Sequence, residues 1–182
     1  MESNLVLNTE RLVLEPLRLK HATKKYVDWL NDPEVYKYLD TRGSQSLYSL
    51  KEFINYQIIN QVYIWAIIDN SLDVHIGNIK IDPINKIHKY GEYGILIGDK
   101  NYWGKGYARE ASDAVLNYFF KEKDYLRKIN LGVIKNNIDA TNLYNKLGFK
   151  QEGCLKRHVI YDGIEEDVIR MAIFREDFLS HE

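Results

Sequence analysis

The stretch Ile95-Leu-Ile-Gly98-Asp-Lys-Asn101-Tyr-Trp-Gly104-Lys-Gly106-Tyr-Ala-Arg109-Glu110-Ala111 passes from a β-prone run through a two-glycine loop into a helical pattern. Two glycines let backbone N–H groups from Gly104 to Ala108 converge on one point, where free donors and the positive end of a helix dipole favour a phosphate. Lys105 and Arg109 add positive charge at the same place. A tight turn that merely enters a helix uses glycine in the same way, so the flanking segments have to decide between the two.

Upstream, residues 63–68, 75–81 and 90–98 are β-rich runs separated by Asn, Asp and Ser or by Asp-Pro, the pattern of successive antiparallel strands. An earlier strand spans 11–17 near a sheet edge, where Pro16 removes a ladder donor. Between them lie helical patterns over 20–30, a short segment entered by Asp32-Pro33, and 49–61, where Ser49 and Glu52 have capping-box spacing. Downstream come a helix over 107–120, a strand over 128–134 and a short helix over 140–147 that Gly148 ends. Strands over 149–155, 159–161 and 167–174 close the chain, with Asp162-Gly163 as a hairpin turn. This order predicts an α+β fold over residues 1–182, a mixed, mostly antiparallel twisted sheet flanked by helices in a single domain. The doubly wound dinucleotide fold is disfavoured, because its glycines belong to the first strand-to-helix turn and these lie past mid-chain.

Composition narrows the function. The 182 residues carry 25 Lys plus Arg against 26 Asp plus Glu, a net charge of -1, so no global field favours nucleic acid or an anionic membrane. Cys154 is the sole cysteine, which excludes an intrachain disulfide and a thiolate zinc cluster; no metal is expected. The N-terminal Met-Glu-Ser-Asn-Leu-Val-Leu has no apolar run of signal-peptide length, and no stretch reaches the ~18 apolar residues of a membrane span. A cytoplasmic protein is the expectation. Aromatic content of 13%, with 14 Tyr, suggests pockets with polar edges.

Asn101-Tyr-Trp-Gly104-Lys-Gly106 followed by Tyr-Ala-Arg-Glu-Ala resembles the acetyl-CoA pyrophosphate loop of the GNAT N-acetyltransferase superfamily. The family pattern is Gln/Arg-x-x-Gly-x-Gly/Ala, from which Asn101 departs at the first position. Downstream, Asn137-x-x-Ala140-x-x-Leu143-Tyr144-x-x-Leu147-Gly148-Phe149 is similar to the segment that flanks the pantetheine arm and thiol in many members. Thr9-Glu-Arg11-Leu-Val-Leu-Glu-Pro16 looks like the family's first strand, and Trp29-Leu-Asn-Asp-Pro-Glu-Val35 like the entry to its substrate side. The resemblance is closest to the branch that includes the ribosomal-protein N-terminal acetyltransferases, a branch that also acetylates polyamines, antibiotics and nucleotide amino sugars. Branch membership therefore does not set the substrate.

The resemblance implies acetyl-CoA as cosubstrate and direct attack by a primary amine. Such a reaction needs a neutral amine, stabilisation of the carbonyl oxygen and a proton for the departing thiolate. By position, backbone N–H groups of Ile95, Leu96 and Ile97 would hold the thioester carbonyl, while Gly104, Lys105, Gly106, Tyr107, Ala108 and Arg109 would receive the pyrophosphate. Tyr144 matches the tyrosine proposed to protonate the sulfur; the alternative is a packed aromatic. Glu92 lies where many members place a carboxylate that accepts the amine's proton through water; the alternative is a solvated strand residue. Asn137 would bond a pantetheine amide, or else form a turn. His75 and His88 are alternative bases, and Cys154 reads as a packed residue without a His-Asp partner pattern.

For the acceptor, Asp28, Asp32, Glu34 and Asp40 put acid on the presumed substrate side, with Tyr26, Trp29, Tyr36, Tyr38 and Tyr48 as aromatic surface or ordinary helix packing. A small-molecule amine of amino-sugar or polyamine type ranks above a protein N-terminus. A non-catalytic acyl-CoA-binding module would keep the glycine loop and have no need of Glu92 or Tyr144. A homodimer stays open as the oligomeric state.

Overall fold

The run Tyr63-Ile-Trp-Ala-Ile-Ile-Asp69 has no polar face, and the strand it forms is buried on both. It is β3 in a computed structural model that describes residues 5–180 apart from Arg42 and Asp124. The strands are β1 (Leu7–Asn8), β2 (Leu12–Pro16), β3 (Tyr63–Asp69), β4 (Val74–Asn85), β5 (Tyr90–Ile97), β6 (Lys128–Ile134), β7 (Lys150–Tyr161) and β8 (Ile164–Phe174). The helices are α1 (Lys24–Asn31), α2 (Pro33–Tyr36), α3 (Leu47–Ile59), α4 (Tyr107–Asn117), α5 (Ile138–Lys146) and α6 (Arg175–Ser180). Hydrogen bonding orders the strands β1-β2-β3-β4-β5-β6-β8-β7. The pairs β1 with β2, β2 with β3, β3 with β4, β6 with β8 and β7 with β8 are antiparallel. By contrast, β5 and β6 run parallel over Tyr90–Glu92 and Lys128–Asn130. A parallel pair needs a long crossover, and α4 lies within it.

The chain divides into two compact units, Met1–Asp82 with Gly94–Ala114 and Pro83–Tyr93 with Val115–Glu182. In the first, register places Leu12, Leu14 and Pro16 beside Asp69, Ile67 and Trp65. Ile64, Ala66 and Ile68 alternate to the opposite face of β3 and join Leu17, Tyr26, Trp29, Leu30, Val35, Leu50 and Ile54 in one buried cluster. Tyr26 and Trp29 are thus core residues, not substrate-facing aromatics: α1 turns them inward at helical spacing. In the second unit Ile129, Leu131 and Val133 alternate inward along β6, with Ile173 and Met171 of β8 buried opposite the first two.

Local chemistry explains where the sequence reading shifts. The helix expected over 20–30 is broken by a 3-10 turn at Leu19–His21, after which Thr23 caps α1 by accepting from the Tyr26 N–H. The capping box belongs to Ser46 and Ser49, whose hydroxyls each accept from the other's amide at 3.1 and 3.0 Å; α3 therefore starts before the expected Ser49. The helix expected to 120 is α-helical only to Asn117 and continues as a π-helical turn over Tyr118–Glu122. The two strands expected over 149–161 are one bulged strand, β7, with Arg157 at positive φ. Asp162 and Gly163 both take positive φ, the geometry of the expected tight hairpin.

A histidine pair lies against Tyr26 and Trp29 in the first unit. His75 Nε2 lies 2.8 Å from the Gly77 carbonyl, so that nitrogen carries the proton and Nδ1 is a bare acceptor, without a partner among the described residues. The His21 ring is tilted against that of His75, centre to centre 5.3 Å, and its Nδ1 accepts from the Arg18 N–H, which leaves Nε2 to donate to Glu15. Burial, then the neighbouring His21, pushes His75 down to about 4. The unfolded imidazole, near its ordinary value of about 6.5, binds the proton more readily. Stability from His75 is therefore full above about pH 6.5 and is lost as pH falls toward 4. We expect urea unfolding free energy to fall across that window, and His75→Gln to flatten the slope by up to about 1.4 kcal/mol per pH unit. Identical slopes in the two proteins would show that His75 is not the group that titrates.

Candidate active site

The glycine loop is built in the first unit. After β5 the chain makes a 3-10 turn at Lys100–Tyr102, capped by the Asp99 carboxylate, which accepts from the Asn101 N–H. Gly98 and Asp99 both donate their N–H to the Ile76 carbonyl. The close approach needs glycine, since a Cβ at Gly77 would collide with the Leu96 carbonyl and one at Gly98 with the Trp29 ring. Trp103 Nε1 donates to the Ile97 carbonyl at 2.7 Å. The Tyr102 hydroxyl bonds the buried Asp69 carboxylate, and burial followed by that carboxylate pushes the phenol up to about 12.

Gly104 and Gly106 have φ of +71° and +85°, which side-chain-bearing residues rarely adopt. A Cβ at Gly104 would meet nothing within 4 Å, so the backbone there faces open space. The first α4 hydrogen bond is from the Glu110 N–H to the Gly106 carbonyl at 3.1 Å. The N–H groups of Tyr107, Ala108 and Arg109 consequently precede any intrahelical acceptor. Lys105 and Arg109 are exposed, and Arg109 makes a long 3.7 Å pair with Asp113. Open backbone donors, positive φ and exposed cations form a cradle that fits a pyrophosphate. Ile95, Leu96 and Ile97 are half-buried on the strand that enters it.

Of the acids expected beside the substrate, Asp28, Asp32 and Glu34 are already paired in this unit, as is Asp99. Lys100 Nζ lies 2.7 Å from Asp32 and 2.5 Å from Glu34, Lys25 is 2.6 Å from Asp99, and Lys24 pairs with Asp28.

The second unit holds the remaining candidates. Tyr144 is buried on α5, edge-on to Tyr93 at 5.7 Å and beside Phe149, and burial pushes its phenol up to about 12. Asn137 is the N-cap of α5, its carboxamide oxygen accepting from the Ala140 N–H at 3.3 Å. The turn-forming role is present, and only the Asn137 amide nitrogen is left for a pantetheine amide. Glu92 is not a solvated strand residue: Arg170 grips both its oxygens at 2.6 and 2.8 Å. Gly132 makes room, since a Cβ there would come within 3.0 Å of the guanidinium. Each Glu92 oxygen keeps a second lone pair for an amine or water. His88 is a turn residue whose amide bonds Asn85, and His75 is half-buried against the rings of His21, Tyr26 and Trp29. Cys154 is half-buried on β7.

Three side chains beside these candidates were assigned no role from the sequence: Arg170, Arg11 and Glu110. Each acts through a partner distant in the chain, which periodicity cannot show. Among the described residues no group of three or more His, Cys, Asp or Glu is placed to hold a metal ion, and no helix is long and apolar enough to cross a membrane.

A model of the acetyltransferase (GNAT) domain matches residues 11–150. An uncharacterised N-acetyltransferase, p20, of Bacillus licheniformis is 29% identical over 94% of this chain and 97% of its own. Spermidine N(1)-acetyltransferase of Vibrio cholerae is 30% identical over 82% of this chain and 86% of its own. The crystal structure of the Vibrio cholerae spermidine N-acetyltransferase with CoA and spermine superposes with a TM-score of 0.84, at 28% identity over 94% of this chain and 99% of that one. None of these three is named as a ribosomal-protein acetyltransferase, and they do not show the branch suggested by the motifs.

The cradle's glycines generate a direct expectation. Gly106→Val should weaken acetyl-CoA binding by about tenfold or more in a calorimetric titration, because a β-branched residue at positive φ is strained and its branch crowds the backbone donors. Unchanged affinity in a folded variant would put the phosphates elsewhere.

Proposed function

Because this chain belongs to the GNAT acetyltransferase family and is an N-acetyltransferase, we propose that it moves an acetyl group from acetyl-CoA to a primary amine of a polyamine by direct attack, the chain acting as one domain without a covalent enzyme intermediate. The observation that carries the acceptor is the similarity, along most of both chains, to spermidine N-acetyltransferases. A protein N-terminus and an amino sugar are the competing acceptors.

Acetyl-CoA supplies an activated acyl group on a thiolate leaving group. The cradle from Gly104 to Arg109 holds its phosphates, backbone N–H groups of Ile95 to Ile97 polarise the thioester carbonyl, and the Asn137 amide nitrogen bonds the pantetheine arm. Glu92 takes the proton that the ammonium must lose, and Arg170 fixes the carboxylate's orientation. Tyr144 gives its proton to the sulfur. With its phenol near 12 it stays protonated throughout the neutral range, so it always carries the proton to be given.

The test is an amine panel read by thiol release: spermidine, spermine, an amino sugar and a peptide with a free N-terminus. Spermidine or spermine should give the highest kcat/KM; preference for the peptide or the sugar overturns the polyamine assignment. Tyr144→Phe should lower kcat by about 10² to 10⁴ with acetyl-CoA affinity kept. Glu92→Gln should instead displace the acidic limb of the pH profile. A full single-turnover rate in Tyr144→Phe would make that ring structural.

A further inference from the structure

Arg11 immediately precedes β2 and reaches the glycine loop with three sides of its guanidinium. Nε and Nη2 grip the Glu110 carboxylate at 2.7 and 2.6 Å. Nη1 donates to the Lys105 carbonyl at 3.1 Å, and the guanidinium carbon lies 4.2 Å from the centre of the Tyr107 ring. Tyr107 is itself held edge-on by Tyr102 at 5.0 Å. Glu110 also accepts from the Thr9 hydroxyl at 2.6 Å and the Arg11 amide at 2.8 Å. The Arg11 backbone is anchored too, since its carbonyl accepts from the Asn70 N–H.

The bond to Lys105 has a consequence for the neighbouring amide. A trans peptide is planar, with its C=O and N–H pointing in opposite directions. Holding the Lys105 oxygen against Arg11 therefore aims the Gly106 N–H away from Arg11. Rotation of that peptide changes ψ of Lys105 and φ of Gly106, and glycine resists such rotation least of all residues. Rotated, the plane would present a carbonyl, not a donor, to an incoming anion. We infer that Arg11 is a positioning residue that locks the Lys105–Gly106 peptide with its N–H toward the phosphate site. Its charge is compensated by Glu110, so it acts through the loop's geometry and not as a phosphate ligand.

This inference rests on the acetyl-CoA assignment above, and the experiment separates the two. Steady-state kinetics are compared with acetyl-CoA and with S-acetylpantetheine, a donor without pyrophosphate, in wild type, Arg11→Lys and Glu110→Gln. Arg11→Lys keeps the charge and loses the planar fork. It should raise KM for acetyl-CoA about tenfold or more, the usual worth of a charge-assisted hydrogen bond, with kcat and the S-acetylpantetheine kinetics unchanged. Glu110→Gln loosens the fork and should also weaken acetyl-CoA. If Arg11 instead attracted phosphate by charge, removing its counterion would tighten acetyl-CoA, and the lock would be overturned. It is equally overturned if Arg11→Lys leaves KM for acetyl-CoA as it was or harms both donors alike. A wild-type protein that does not distinguish the two donors has no pyrophosphate site at all, which overturns the acetyl-CoA assignment and the lock with it.

Discussion

The Glu110 carboxylate accepts three hydrogen bonds, from the Thr9 hydroxyl, the Arg11 amide and Arg11 Nε, and Arg11 Nη2 adds an ion pair at 2.6 Å. Burial opposes its charge, but the Thr9 hydroxyl and the Arg11 groups together hold it below the usual carboxylate range. It sits in the first turn of α4, where the helix dipole favours an anion. Through it the residues just before β2 are tied to the start of α4, and Arg11 reaches on to the loop between β5 and α4. Glycine loops are conformationally loose by nature. This one is fixed at Tyr102 by Asp69, at Trp103 by the Ile97 carbonyl and at Lys105 by Arg11. Its donors are thereby oriented before any ligand arrives, so binding needs less ordering of the chain.

The two residues proposed to move protons, Tyr144 and Glu92, are held in a different way from the glycine loop. Tyr144 is shaped by burial alone: aromatic neighbours remove water and keep the phenol protonated. Glu92 is shaped by a partner, an arginine that keeps it in one orientation. In the proposed reaction the proton donor is thus a residue deprived of solvent and the proton acceptor a residue held by a counterion.

What the sequence made legible was local. Strand β6 has the bounds its alternation predicts, Lys128 to Ile134, because one inward-facing apolar residue at every second position leaves no second register. Gly104, Gly106 and Gly148 are where positive φ is needed, and composition alone marked them. The capping box was misplaced because Ser46 and Ser49 both cap well and only the hydrogen bonds choose between frames. Tyr26 and Trp29 were open between substrate surface and core, and the inward face of α1 decided for core. The pairs Arg11 with Glu110 and Glu92 with Arg170 join residues so distant in the chain that no window of sequence contains both partners. Motif resemblance reached the glycine loop, Glu92 and Tyr144, and it covered Arg11 and Glu110 without showing that they pair.

The most direct measurement is a crystal structure of the protein with CoA bound. The account predicts pyrophosphate oxygens within hydrogen-bond distance of the backbone N–H groups between Gly104 and Arg109, with the Lys105 carbonyl still on Arg11. A pyrophosphate seated elsewhere, or one facing the Lys105 carbonyl after rotation of that peptide, would contradict it.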